Sequence, residues 1–195
     1  MMKKNQNRLI LASASPRRKA LLEKAGLDFV VVPSNIPEDP PPQDKPEEIA
    51  RHLALAKARY VAGLYPQSWV IGADTIVVAG GQILGKPNSS DDAKRMLHLL
   101  SGRLHIVITG YCVMCMAKNS FAAKSISTTV GFEKLSKEKI SWYVETGEPF
   151  GKAGAYAIQG LGACLVSGIT GSYTNVMGLP VREVVETLID LGVLP

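Results

Sequence analysis

The chain has 195 residues, 46% of them hydrophobic and 20% charged, with a net charge of +5 and a pI near 9.1. That balance excludes a disordered chain, and no stretch approaches the ~18 continuous apolar residues of a membrane span. The basic residues are spread along the chain rather than gathered in a run, so an anionic small molecule is as compatible as nucleic acid. Lys3 and Lys4 before an apolar run, with Ala12-Ser13-Ala14 behind it, imitate a secretion signal. The run is too short for one, and a soluble, cytoplasmic chain is expected. Three cysteines, an odd number, argue against a disulfide framework. Cys112 and Cys115 lie in an apolar run where a strand points them to opposite faces, so core packing is expected. His52, His98 and His105 have no spacing that suggests a zinc site or a nucleophilic triad.

In chain order, Leu9 to Ala12 reads as a buried strand running into Ser13-Ala14-Ser15-Pro16-Arg17-Arg18. Ser15 then Pro16 is a helix start, with a hydroxyl cap and a proline at the first helical position. The free amides and the positive dipole end of such a start attract anions, and two arginines in the first turn add charge that a helix ordinarily avoids there. Ser13, Ser15, Arg17 and Arg18 therefore read either as a phosphate cradle or as a plain capped helix with solvated arginines. A second strand is predicted at Phe29 to Val32, then a proline-rich loop from Pro33 to Pro46. Residues 47–64 form a helix with Ile49, Leu53, Ala56, Tyr60 and Leu64 as its apolar stripe. Trp69 to Ala79 is a long buried strand that Gly80-Gly81 turns into Gln82 to Leu84. A helix capped near Ser89 or Ser90 runs to Leu100. Strands around Leu104 to Met116 and Phe121 to Phe132, a helix near Ser136 to Thr146, glycine-rich turns and short strands over 147–180 and a helix from Pro180 to Leu191 complete the chain. Interleaved strands and helices without repeats imply an α/β fold around a mixed sheet, with residues 1–195 as a single domain.

Asp74 is the strongest anomaly, a carboxylate inside a strand that reads as fully apolar. An unpaired buried charge costs several kcal/mol, so Asp74 is expected in a site, in a structural ion pair or at a solvent-facing strand end. Alternation puts it on the face of Gly72, which leaves room for a ligand. Lys57 falls on the flank opposite its helix's apolar stripe, where it either snorkels past the core edge or projects toward an anion. Lys86 sits in a rigid turn between Gly85 and Pro87. Glu38, in the proline-rich loop, is a solvated acid or a second carboxylate for a divalent metal, since Mg²⁺ takes one or two carboxylates plus substrate phosphates. Gln159 offers an amide from an otherwise apolar segment, able to donate and accept at the edge of a pyrimidine or to satisfy a turn.

LASASPRR at 11–18, GADTIV at 72–77, the GKP turn at 85–87 and KAGAYAIQGLG at 152–162, with GSY and VMGLP behind it, together resemble the Maf family of nucleotide pyrophosphatases. The resemblance spans nearly the whole chain. It implies the fold shared with the inosine triphosphate pyrophosphatases: an elongated mixed β-sheet flanked by helices, in two lobes around a central cleft. It also implies hydrolysis of a nucleoside triphosphate to monophosphate and pyrophosphate with a divalent metal, Mg²⁺ or Mn²⁺, and a homodimer. Asp74 would then be the catalytic proton acceptor and a metal ligand with Glu38; Ser13, Ser15, Arg17 and Arg18 would hold phosphates; Glu38, Lys57 and Lys86 would complete the polar cleft. SPRR, GADT and IQG resemble the dTTP/UTP branch rather than the 7-methyl-GTP branch, which makes Arg17, Thr75 and Gln159 the specificity residues. Pro37 stands where relatives often carry another acid. Alternatives from the same resemblance are action on 7-methyl-GTP or other non-standard nucleotides, and a non-catalytic regulator of septum formation. Nucleic acid is not an expected partner, since no recognition helix or zinc module is visible.

Overall fold

The computed structural model describes residues 8–37 and 45–195. Six parallel or antiparallel neighbours follow one another in the order β2-β1-β3-β5-β6-β7, and β4 pairs with β3 off this path, giving a seven-stranded mixed sheet. The strands are β1 (Leu9–Leu11), β2 (Phe29–Val31), β3 (Trp69–Ala79), β4 (Gln82–Leu84), β5 (Leu104–Cys115), β6 (Ser120–Phe132) and β7 (Val166–Thr170). Between them lie helices α1 (Pro16–Lys24), α2 (Pro46–Leu64), α3 (Ser90–Leu100), α4 (Lys137–Glu145), α5 (Tyr173–Val176) and α6 (Val181–Asp190). β1 runs parallel to both β2 and β3, with Leu11 opposite Val31 and Ile71. β4 and β7 run antiparallel to β3 and β6. The expected α/β fold with a mixed sheet is the one observed.

Most helix starts follow from sequence. Ser15, Ser89, Ser136 and Ser172 each cap a helix by accepting the amide three residues on. The glycine-rich segment after α4 departs from the expected turns and strands. It forms two short 3-10 turns, one strand and the single turn of α5.

The chain divides into two compact units, and the division falls inside three strands: after Asp74 in β3, after Ile108 in β5 and after Ile126 in β6. The first unit holds β1, β2, α1, α2 and α6. Ile10, Val61, Val70, Cys112 and Met114 lie in its core. Cys112 is buried and unbridged, as expected, and burial pushes its thiol up to about 12. The Tyr111 hydroxyl ties β5 to α6, donating to the Glu183 carbonyl at 3.0 Å and meeting Thr187 Oγ1 at 2.9 Å.

Helix α2 corrects the predicted stripe. Its buried residues are Ile49, Ala50, Leu53, Ala54, Lys57, Ala58, Val61 and Ala62, whereas Tyr60 and Leu64 are 47% and 59% exposed. The reason is close backbone packing. A Cβ on Gly72 would lie 2.4 Å from the Ala54 carbonyl oxygen, and one on Gly110 would lie 2.1 Å from that of Ala50. Small residues on the helix and bare glycines on β3 and β5 let α2 settle onto the sheet, so its contact face is marked by alanine rather than by bulk. The room beside Asp74 left by Gly72 is thus filled by the helix backbone.

The second unit holds β4, α3, α4, β7 and α5. Its core includes Val77, Leu84, Leu97, Val130, Tyr143 and Leu165. His105 is 2% exposed within it, edge-on to Phe132 and Tyr156 at centroid distances of 5.0 and 5.4 Å. Its Nε2 lies 2.7 Å from the Tyr156 hydroxyl, and its Nδ1 has no hydrogen-bond partner among the described residues.

Two outcomes follow for stability. Gly72→Ala or Gly110→Ala forces a methyl into helix backbone and is expected to cost about 3 kcal/mol or more, read by urea unfolding. Burial lowers His105 to about 4 from its ordinary 6.5. The unfolded chain therefore takes up this proton first, and stability that is complete above pH 6.5 declines as the pH falls toward 4. The same unfolding series in His105→Phe is expected to lose about 3 kcal/mol of that pH dependence.

Candidate active site

In the first unit, the end of β1 is organised by one serine. Ser13, 8% exposed, accepts the Ser15 amide at 3.2 Å and Arg18 Nη1 at 3.1 Å, so its own proton is left to donate. Arg18 Nε donates to the Gly178 carbonyl at 2.7 Å, which fixes the guanidinium from the far end of the sequence. Ser15 accepts the Arg18 amide at 3.4 Å as the helix cap. Arg17 is half-buried beside it, and the first turn of α1 carries no acid. A fixed arginine, a donating hydroxyl and a helix N-terminus without a carboxylate form an anion-binding arrangement.

Asp74 stands one strand over. Ala12 donates its amide to the Ile71 carbonyl at 2.8 Å, so the cradle after β1 runs beside the stretch of β3 that leads to Asp74. Lys57 Nζ donates to Asp74 Oδ1 at 2.5 Å, with side-chain exposures of 8% and 11%. This corrects the placement of Lys57 on the flank opposite the stripe. It lies within the buried face of α2, because alternation aims Asp74, like Gly72, at that helix.

In the second unit, Thr75 is half-buried on the opposite face of β3 from Asp74. Lys86 is exposed in the turn after β4. Gln159 is half-buried and stands immediately before the 3-10 turn Gly160–Leu165. Packing draws these three segments together. The Gly154 amide donates to the Gly85 carbonyl at 3.0 Å, and a Cβ on Gly154 would lie 3.0 Å from the Val77 side chain. Ala155, next in line, holds a left-handed φ of 59°, a conformation that costs a non-glycine residue of order 1–3 kcal/mol and persists only where its surroundings over-determine it.

Ser13, Ser15, Arg18, Lys57 and Asp74 are therefore assembled in one unit, while Thr75, Lys86 and Gln159 are held by the other. Glu38 lies outside the described residues. No group of three or more His, Cys, Asp or Glu residues able to hold a metal occurs among the described residues. No helix among them is long and apolar enough to cross a membrane. The Gly178 carbonyl as an anchor for Arg18, and Glu148 with its partners around Gln159, were not singled out from the sequence. Both contacts are made by backbone groups, which residue types do not announce.

Residues 8–191 match the family described as Maf-like protein, a match that spans both units. A dTTP/UTP pyrophosphatase of Syntrophotalea carbinolica is 54% identical over 94% of this chain and 84% of its own length. One of Geobacter metallireducens is 52% identical over 96% of this chain and 98% of its own, and one of Syntrophus aciditrophicus 48% over 96% and 91%. With a family match over residues 8–191 and relatives about half identical over nearly its full length, the chain belongs to the Maf family.

Proposed function

We propose that this protein hydrolyses pyrimidine nucleoside triphosphates, dTTP and UTP, to the monophosphate and pyrophosphate. The observation that carries the reading is the buried Lys57–Asp74 pair lying beside the serine–arginine cradle. A chain gains little stability from burying such a pair, since desolvation offsets most of the attraction, so its presence points to chemistry. The relatives described above are named dTTP/UTP pyrophosphatases.

Hydrolysis at the α-phosphorus needs a water that loses a proton, a polyphosphate whose charge is neutralised and a pyrophosphate that leaves. Ser13 and Arg18 hold phosphate oxygens, with Arg17 and the helix start beside them. Asp74 accepts the proton of the attacking water; Lys57, bonded to one carboxylate oxygen, fixes the direction of the other. The new bond joins the water oxygen to the α-phosphorus, and the bond to the bridging oxygen breaks to release pyrophosphate. No group of three or more His, Cys, Asp or Glu able to hold a metal occurs among the described residues, so a Mg²⁺ or Mn²⁺ would take Asp74 as its carboxylate there and fill the rest of its shell with substrate phosphates and water. The metal supplies charge neutralisation on the phosphates when bound. Thr75, Gln159 and Arg17 select the base. The Gln159 amide can donate to a carbonyl and accept from the N3–H of uracil or thymine, a pairing that an analogue lacking it forfeits.

A panel of dTTP, UTP, 7-methyl-GTP, ITP and GTP, assayed for pyrophosphate release with and without Mg²⁺ or Mn²⁺, is expected to favour the first two. Equal turnover of 7-methyl-GTP or ITP would sink the pyrimidine assignment. Asp74→Asn is expected to lower kcat by about a thousandfold. Lys57→Met leaves the carboxylate buried without this partner and is expected to cost about 3–5 kcal/mol. Adding Asp74→Asn to it should restore most of that stability in urea unfolding while leaving the enzyme inactive, which separates the structural share of the pair from the catalytic one.

A further inference from the structure

The 3-10 turn that follows Gln159 is capped from outside. Ser, Thr, Asp or Asn in this position would satisfy a free amide of the turn with its own side chain; Gln159 makes no such bond. The work is done by Glu148, from the loop after α4. Its Oε2 accepts the Leu161 amide at 3.0 Å and its Oε1 accepts the Gly162 amide at 2.8 Å. Tyr143, buried on α4, completes the clamp: its hydroxyl donates to Glu148 Oε1 at 2.9 Å and accepts the Ala157 amide at 3.2 Å. The segment is therefore gripped on both sides of Gln159, two residues before it and two and three after it.

The loop sequence is shaped to admit these two side chains. A Cβ on Gly160 would lie 2.7 Å from Glu148 Oε2, and one on Gly162 would lie 2.6 Å from the Tyr143 hydroxyl. Gly160 also holds a φ of +70°, which glycine adopts without penalty. The Lys152 ammonium, one residue before the 3-10 turn that ends at Ala155, donates to the Glu148 carbonyl, so the acid's own backbone is held as well. Burial acts to raise the Glu148 carboxyl, and the amides of Gly162 and Leu161, the Tyr143 hydroxyl and the Lys152 charge outweigh it, so it lies below its ordinary value.

We propose that Glu148, with Tyr143, is a positioning residue for base selection: by capping the 160–165 turn in place of Gln159, it leaves the Gln159 amide free of that duty and holds it in one direction for the pyrimidine edge. The proposal rests on the reading of Gln159 as the base-selecting residue. It predicts that Glu148 acts on discrimination between bases through Gln159 and not on the chemical step, because the clamp's hydrogen bonds go to the amides on either side of Gln159.

The test is steady-state kinetics with UTP and GTP on Glu148→Gln, Tyr143→Phe, Gln159→Ala and the Glu148→Gln/Gln159→Ala double variant. Glu148→Gln replaces a charged acceptor of two amides by a neutral side chain whose NH2 faces one of them. It is expected to raise KM for UTP about 10-fold with kcat changed by less than about 3-fold, and to lower the preference for UTP over GTP by the same 10-fold. Tyr143→Phe should shift the preference the same way by about 3-fold, and it stands in if Glu148→Gln does not fold. In the double variant the preference should fall no further than in Gln159→Ala alone. A collapse of preference in Gln159→Ala with none in Glu148→Gln or Tyr143→Phe overturns the positioning role and leaves the base-selecting role of Gln159 standing. Unchanged preference in Gln159→Ala removes that role and this proposal with it. An equal loss of kcat on UTP and GTP in Glu148→Gln marks a merely structural acid and overturns the proposal.

Discussion

The contact on which the rest of this structure depends is the approach of helix α2 to the sheet. Gly72 and Gly110 carry no side chain where the Ala54 and Ala50 carbonyls come down on them, and that intimacy brings the Lys57 ammonium to the Asp74 carboxylate. A larger residue at either glycine would lift the helix and open the ion pair to water. An ion pair of this kind contributes little net stability because both charges surrender their hydration. Its worth lies in direction: with one carboxylate oxygen held, the group has a fixed orientation relative to β1 and the cradle beyond it.

The cradle follows the same logic by other means. Arg18 is a long side chain with much rotamer freedom to lose, and the Ser13 hydroxyl and the Gly178 carbonyl both hold it. Ordering it in advance means that an anion bound there would not have to. In the second unit the segments on either side of Gln159 depend on backbone fits around glycine: Gly154 against Val77, Gly160 against Glu148 and Gly162 against Tyr143. Polar side chains are thus placed in both units by residues that have almost no side chain of their own.

Much of this was legible in the sequence. The strand and helix order followed from apolar runs, serine caps and the Gly80-Gly81 turn, because these are local preferences that tertiary contact left undisturbed. Asp74 announced itself by breaking an apolar strand. The stripe of α2 misled because it was judged by bulk, and Tyr60 and Leu64 are exposed while alanines make the contact. A stripe drawn by bulk puts Lys57 on the wrong flank for the same reason. The role of Glu148 was hidden because its partners are amides of Leu161 and Gly162, which every residue type but proline possesses.

The sequence by itself determined the elements outside the glycine-rich 147–180 segment, the mixed α/β class, the family through its separated motifs, and the set of polar residues too costly to bury without purpose. Those are properties of residue type and spacing along the chain. Tertiary structure alone decided which of them meet: that Lys57 faces inward onto Asp74, that Arg18 is braced by a carbonyl 160 residues away, and that Gln159 is relieved of capping its own turn. Each of these depends on how closely two backbones approach, a distance set by absent side chains and by carbonyl and amide groups that are the same at nearly every position.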